Sequence, residues 1–289
     1  MDLSIVGLVF ASAALHPLRE FFIKGSVYPE GLCLAAMMLW VIFAAIHALI
    51  LGIDLLSIRA VWPLTLASGL AVVFYFSFIV ITLREGDFSS YYPITRASPL
   101  FIVVISFLFL NEHYSWPLLF GIVMVFCGAF FLQYKRSSGF LAQPKTLTVA
   151  VSAMAAHGFI TIVDARAVQV IEPMVQFFWV TLIAIFPTAV YFARNRLPDC
   201  SIVEYLFMGW RHTPGSFFIA GFSAYVSYTL MLTAFQLGGN VAAVSSVRQV
   251  SIPISVLLGG LMLKEFNMLG RLTWSLIMAA GIVVIILAR

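Results

Sequence analysis

Ten apolar runs follow one another along this chain, at about 3–23, 29–51, 61–83, 89–110, 116–134, 146–168, 172–194, 216–238, 241–263 and 269–288. Each is bounded by proline, glycine or charge. A helix crossing a bilayer needs roughly 20 apolar residues. In lipid, only helices and closed barrels satisfy every backbone N–H and C=O. These runs are far longer than barrel strands and show no strict alternation, so helices are expected. The 289 residues then hold ten spans joined by short loops, with no room for a sizeable soluble domain. The loops near 135–145 and 195–215 are longer and carry charge or proline.

Composition agrees with lipid as the main solvent. The chain is 62% hydrophobic and 10% charged, where a soluble protein is about a quarter charged. The net charge of +4 comes with no basic cluster interleaved with aromatics, so no nucleic-acid partner is expected. Cytoplasmic loop positives account for it. Cys33, Cys127 and Cys200 form no CxxC pair, which argues against disulfides and structural zinc. The start, Met-Asp-Leu-Ser, lacks a basic region and a small-residue cleavage site, so the first run reads as a retained helix. There is no HExxH, GxSxG or GxxxxGKS/T motif. Neither an enzyme, a metal, a cofactor nor ATP-driven pumping by this chain alone is expected.

An internal repeat organises the runs. A shift of 153 residues lays 84–136 on 237–289 with nine identities in 53 positions, among them Gly86/Gly239, Ser98/Ser251, Glu112/Glu265 and Gly128/Gly281. Leu110-Asn111-Glu112 and Leu263-Lys264-Glu265 both close a long run and precede a run with a late glycine. A shift near 141 pairs His16 with His157 in the first helix of each half. Each half holds five spans, an odd number, so the second must enter from the opposite face. The expected fold is therefore an all-α integral membrane protein of ten transmembrane helices in two inverted five-helix repeats. The repeats are 1–135 and 146–289, joined by a loop at 136–145. Inverted repeats recur among secondary transporters.

The segments LFLNEHYSWPLLFGIVMVFCGAFFL and LMLKEFNMLGRLTWSLIMAAGIVVIIL carry a further pattern: an apolar run ending in x-Glu, a short link, then a helix with a late Gly. They resemble the paired helix 4–5 and 9–10 segments of EamA-type carriers of the drug/metabolite transporter superfamily. HPLREFFIKGS resembles the first-helix His and Lys pattern of some bacterial members, including ones found in phosphonate-utilisation contexts. The resemblance covers essentially the whole chain. It implies a carrier in a bacterial inner (plasma) membrane. Family members often place an aromatic-Asn pair after the first-helix His, where this chain has Arg19-Glu20. Two orientation signals oppose each other. Nine Lys and Arg lie on odd-numbered loops and three on the other face, which puts both termini outside. Members of the wider superfamily often keep both termini inside.

Ionisable groups at bilayer depth are functional candidates. Arg96 and Arg248 each lie seven residues into their runs, about 10 Å deep at 1.5 Å per residue. Entering from opposite faces of a core about 30 Å thick, they approach the midplane, where inverted-repeat carriers keep their site. Pro93 and Pro99 flank Arg96, and Pro253 follows Arg248; proline frees a backbone carbonyl and breaks the helix. A guanidinium fork suits carboxylate or phosphate. The alternative is that each Arg pairs with a carboxylate or backbone carbonyl and fixes packing. Arg19, near a helix end, is expected to reach the interface.

His16 and His157 sit beside Pro17 and Gly158. Each is either a proton relay or a neutral imidazole bonded to a neighbouring helix. Glu20 and Asp164 are either coupling carboxylates or counter-ions of a buried Arg. Tyr92 precedes Arg96 by one turn and Ser245 precedes Arg248, while Gln249 aligns with Arg96. Tyr75, Tyr225 and Tyr228 are candidate hydroxyls or ring walls, and packing is the default for Trp40 and Trp179. Small-xxx-small steps such as Ala220/Ala224 occur in any bundle, and a homodimer stays open.

The expected function is secondary transport of a small anionic or zwitterionic metabolite by alternating access. Helices 1, 3, 4, 6, 8 and 9 line its midplane site, with coupling to protons or a counter-substrate. Two alternatives remain: an exporter of neutral or amphipathic compounds such as amino acids or drugs, and an intramembrane enzyme or scaffold.

Overall fold

A computed structural model describes residues 1–24, 29–85, 95, 97–109, 113–133, 144–194, 201, 204, 207, 214–254 and 268–288. Among these the architecture is all-helical. The helices are α1 (Leu3–Lys24), α2 (Pro29–Leu51), α3 (Trp62–Glu85), α4 (Ser98–Phe109), α5 (Trp116–Gln133), α6 (Pro144–Ala167), α7 (Pro173–Arg194) and α8 (Pro214–Gln236). They end with α9 (Val241–Ile254) and α10 (Met268–Leu287). A 3-10 turn, Leu55–Ala60, joins α2 to α3 and is capped by Asp54, whose Oδ1 accepts from Leu56 N at 2.8 Å.

Proline sets most of the starts. Pro29, Pro144, Pro173 and Pro214 are first residues of their helices, and Pro63, Pro99 and Pro117 are second. The missing N–H costs nothing there and the fixed φ already suits a helix. Among the described residues, five helices are long and apolar enough to cross a bilayer: Glu30–Leu51, Trp62–Ile79, Pro144–Ala167, Pro173–Arg194 and Gly215–Gln236. The stretches Leu3–Arg19, Ser98–Phe109, Trp116–Phe131, Val241–Ile254 and Thr273–Leu287 are apolar but shorter. The fourth and ninth runs extend beyond the described residues, at 86–94 and 255–263.

The packing partners fall into a pattern. α5 packs on α10, α3 on α6, α1 on α8, α3 on α7, α2 on α7 and α2 on α8. The α5–α10 contact is backbone against backbone. A Cβ at Gly121 would stand 2.9 Å from the Gly281 carbonyl oxygen, and one at Gly281 2.8 Å from that of Gly121. A Cβ at Gly128 would stand 2.9 Å from the Trp274 carbonyl. Phe131 stacks on Trp274 with centroids 4.4 Å apart. Gly121 meets Gly281 and Ile285, whereas Gly128 meets Trp274 and Met278, so the two helices run antiparallel. These contacts exchange under the 153-residue shift: Gly128 touches Trp274 and Met278, while Gly281 touches their counterparts Gly121 and Val125.

At the centre α2 and α7 bring aromatic rings together. Trp40 lies 5.6 Å from Phe177, and Phe177 stacks on Tyr228 at 5.1 Å. Trp40 Nε1 also donates to the Gly221 carbonyl at 3.0 Å, tying α2 to α8. α1 and α8 are joined by a reciprocal pair: Ser12 Oγ donates to Ser227 O at 2.6 Å, and Ser227 Oγ to Ser12 O at 2.7 Å. In an apolar bundle such pairs hold helices together where the hydrophobic effect does not.

Candidate functional site

Arg248 owes its place to Pro253. A proline in a helix removes one N–H and clashes with the carbonyl four residues earlier, here that of Gln249. The α-helical part of α9, Val241–Val247, accordingly tightens to a 3-10 turn over Arg248–Val250. The turn aims Arg248 into the bundle, where it is 8% exposed. Its Nε donates to Ser12 Oγ at 3.1 Å and its Nη2 to Ser227 Oγ at 3.2 Å. The guanidinium carbon lies 5.9 Å from the Tyr228 ring centroid, within cation–π range.

A central cavity of about 70 Å³ opens beside it, enough for about five to seven waters at 10–15 Å³ each. α1 supplies His16 and Arg19, α6 supplies His157, α8 supplies Tyr228 and α9 supplies Arg248. Tyr75, Phe76, Trp40 and Phe177 complete an aromatic wall. No carboxylate lines the cavity among the described residues. His157 Nδ1 shares a hydrogen bond with Ser98 Oγ at 3.1 Å, and its ring lies 5.2 Å from that of Tyr75. Among the described residues, α4 reaches the site through that serine, and the lining takes in α2 and α7 instead.

Asp164 is 1% exposed and stands behind the wall. Its Oδ1 accepts from Ser68 Oγ at 2.5 Å and Gln176 Nε2 at 2.8 Å, and its Oδ2 accepts from Tyr228 O–H at 2.6 Å. Gln176 in turn accepts from Thr65 Oγ1 at 2.6 Å. Neutral donors from three other helices thus satisfy the carboxylate. Of its two expected roles, counter-ion of a buried Arg is not the arrangement seen, since its bonds go to hydroxyls and an amide.

The other sequence candidates divide. His16, His157, Tyr75, Tyr228 and Arg248 share the cavity. Tyr225 turns its hydroxyl to His47 Nδ1 at 2.9 Å on the α2 side. Ser245 is buried away from the lining, and Gln249 faces a second, smaller cavity of about 10 Å³ with Ser246, Pro99 and Phe126. Tyr92 and Arg96 lie outside the described residues, as does the Glu20 side chain. Arg19, expected at the interface, lines the cavity. Ser12, Ser227, Ser68, Thr65 and Gln176 were not singled out from the sequence. The signal was available, because a buried amide or hydroxyl in an apolar run needs a partner as a charge does.

Residues 1–134 match the model of the EamA-like transporter family. The match covers a little under half of the chain. The family is one of transporters, and five helices among the described residues are long and apolar enough to cross a membrane. No curated protein matches it in sequence at a significant level. Among solved structures 21 chains match. One, described as a crystal structure of a protein, is 16% identical and superposes with a TM-score of 0.75 over 100% of both chains. At that identity the likeness shows the fold alone, and it extends beyond the residues that match the family.

Proposed function

We propose that this chain is a secondary carrier of the drug/metabolite transporter superfamily that moves a small anionic or zwitterionic metabolite by alternating access. The carboxylate, phosphate or phosphonate of the substrate meets Arg248 and Arg19. The observation that carries this reading is the charge of the cavity: two guanidiniums and two imidazoles line it, with no carboxylate among the described lining. A guanidinium fork in a low-dielectric site is worth most against an anion. Arg96 belongs to the same proposal by its sequence position.

The carrier crosses the membrane ten times, as repeats 1–135 and 146–289 of opposite orientation, in a bacterial inner membrane. The antiparallel α5–α10 pair with exchanged contacts supports this arrangement. So do the pairs α1–α8 and α6–α3, which correspond when each helix is matched with the one five later. Coupling is to protons or a counter-substrate, with His16, His157, Glu20 and Asp164 as the groups able to take a proton.

Uptake and efflux of labelled carboxylates, organophosphates and phosphonates in proteoliposomes tests the substrate class. Arg248→Gln removes hydrogen bonds to a charged partner, so KM for the transported anion rises about 10- to 100-fold. Arg248→Lys keeps the charge but loses the fork and falls between. Unchanged transport of every anion by Arg248→Gln would sink the reading. The aromatic wall of Trp40, Tyr75, Phe76 and Phe177 favours a second reading, export of neutral or amphipathic compounds such as amino acids or drugs. Counterflow of such compounds without competition by any anion selects it.

A further inference from the structure

Asp164 is a buried acid held by Ser68, Gln176 and Tyr228, and Tyr228 is the one of these three that lines the cavity. The Tyr228 hydroxyl has a single proton. In this structure that proton goes to Asp164 Oδ2 at 2.6 Å. Tyr228 therefore offers the cavity its ring and oxygen lone pairs but no donor. The guanidinium carbon of Arg248 lies 5.9 Å from the Tyr228 ring centroid and Phe177 stacks on the ring, and rotation about the C–O bond moves the hydroxyl proton without moving the ring.

We propose that Asp164 is a proton sensor that switches the Tyr228 hydroxyl between the two sides of the cavity wall. A hydronium ion in the cavity gives a proton to the Tyr228 oxygen as the proton already there moves to Asp164 Oδ2. Two O–H bonds break, one in the hydronium and one in the tyrosine, and two form; water is left in the cavity and the Tyr228–Asp164 pair has gained one proton. The neutral acid now donates to the Tyr228 oxygen, and the hydroxyl proton points into the cavity. An anion beside Arg248 then gains a hydrogen-bond donor, so proton uptake and anion binding favour each other. By linkage, each raises the affinity for the other equally. The proposal rests on the anionic substrate class above and names a coupling group for it.

The surroundings of Asp164 make it a suitable sensor. α3 presents Ser68, α7 presents Gln176 and α8 presents Tyr228. α9 presents Arg248 near the Tyr228 ring, and α3 adds Tyr75 at the cavity. α4 has no ionisable side chain in Ser98–Phe109. On α6 itself His157 lies about two turns earlier. The rival source of pH dependence is His16 and His157, which would attract an anion more strongly when protonated.

The test is binding of methanesulfonate to the purified full chain in lipid nanodiscs, at acid and alkaline pH. This probe keeps one negative charge throughout, so its own titration does not enter. Wild type binds about tenfold more tightly at acid pH, the worth of one hydrogen bond to a charged group. Asp164→Asn, whose amide donates to Tyr228 permanently, binds tightly at both pH values. Tyr228→Phe binds weakly at both, and the pair of variants guards against a misfolded single mutant. The doubly substituted His16→Gln, His157→Gln protein keeps the pH dependence. A pH dependence that survives in Asp164→Asn, or vanishes in the histidine variant, overturns the sensor and leaves the anion site standing. Absence of binding by methanesulfonate, methylphosphonate and inorganic phosphate at every pH overturns both.

Discussion

A guanidinium inside an apolar bundle must be held by polar groups, and Arg248 is held by two serine hydroxyls and a tyrosine ring. Those serines already bond each other's backbones, so the cradle is rigid before the arginine enters it. The carboxylate network is built by the same rule. Gln176 is fully buried and has two jobs, accepting from Thr65 and donating to Asp164. Gln176→Leu removes both bonds and leaves the Thr65 hydroxyl only its long 3.5 Å bond to the Val61 carbonyl, which costs about 1–3 kcal/mol. Thr65→Val on top of it adds less than it does alone, because its partner has gone. Denaturant titration of the four proteins of this double-mutant cycle measures the coupling. At this scale the sequence was informative about charge and poor about partners. His16, His157 and Arg248 were visible as expensive groups in apolar runs. Asp164 was visible too, but its donors come from positions 96, 12 and 64 residues away, and no local spacing links them. Arg19 was assigned to the interface because it lies late in its run; the bundle instead gives it a cavity.

Elements were far more legible. Hydropathy and proline placed nearly every helix to within a few residues, because Pro29, Pro144, Pro173 and Pro214 mark starts that the backbone must respect. The 3-10 turn Leu55–Ala60 was not foreseen, since six mostly apolar residues carry no period of their own. The late glycines Gly128 and Gly281 were noted only as a repeated pattern. Their physical reason is the α5–α10 crossing, where a side chain would meet carbonyl oxygens. Gly281→Val places methyl groups where a Cβ alone would be 2.8 Å from the Gly121 carbonyl. The overpacking costs about 1–3 kcal/mol, and the melting temperature of the purified protein falls. Gly7→Ala on α1, where nothing lies within 4 Å, does not lower it.

At the scale of the molecule, the cavity is walled by both halves: α1, α2 and α3 from the first, α6, α7, α8 and α9 from the second. A site shared in this way changes its exposure when the halves rock, as the proposed mechanism requires. Orientation remains a matter of charge, with nine Lys and Arg on the odd loops against three. With the proposed ten spans, the positive-inside bias predicts both termini on the non-cytoplasmic face. A C-terminal alkaline phosphatase fusion should therefore be active and a C-terminal green fluorescent fusion dark; the reverse pattern would show that the habit of the wider superfamily prevails.

The α5–α10 contact also has a cost in time. Its two faces are 153 residues apart in the chain. Ribosomes add about 5–20 residues per second, so α5 waits roughly 8–30 s in the membrane before its partner exists. During that interval its glycine groove is open to any other small-residue helix nearby. Biogenesis of this protein therefore includes a window of vulnerability to mispairing, and slowing translation between α5 and α10 would lengthen it.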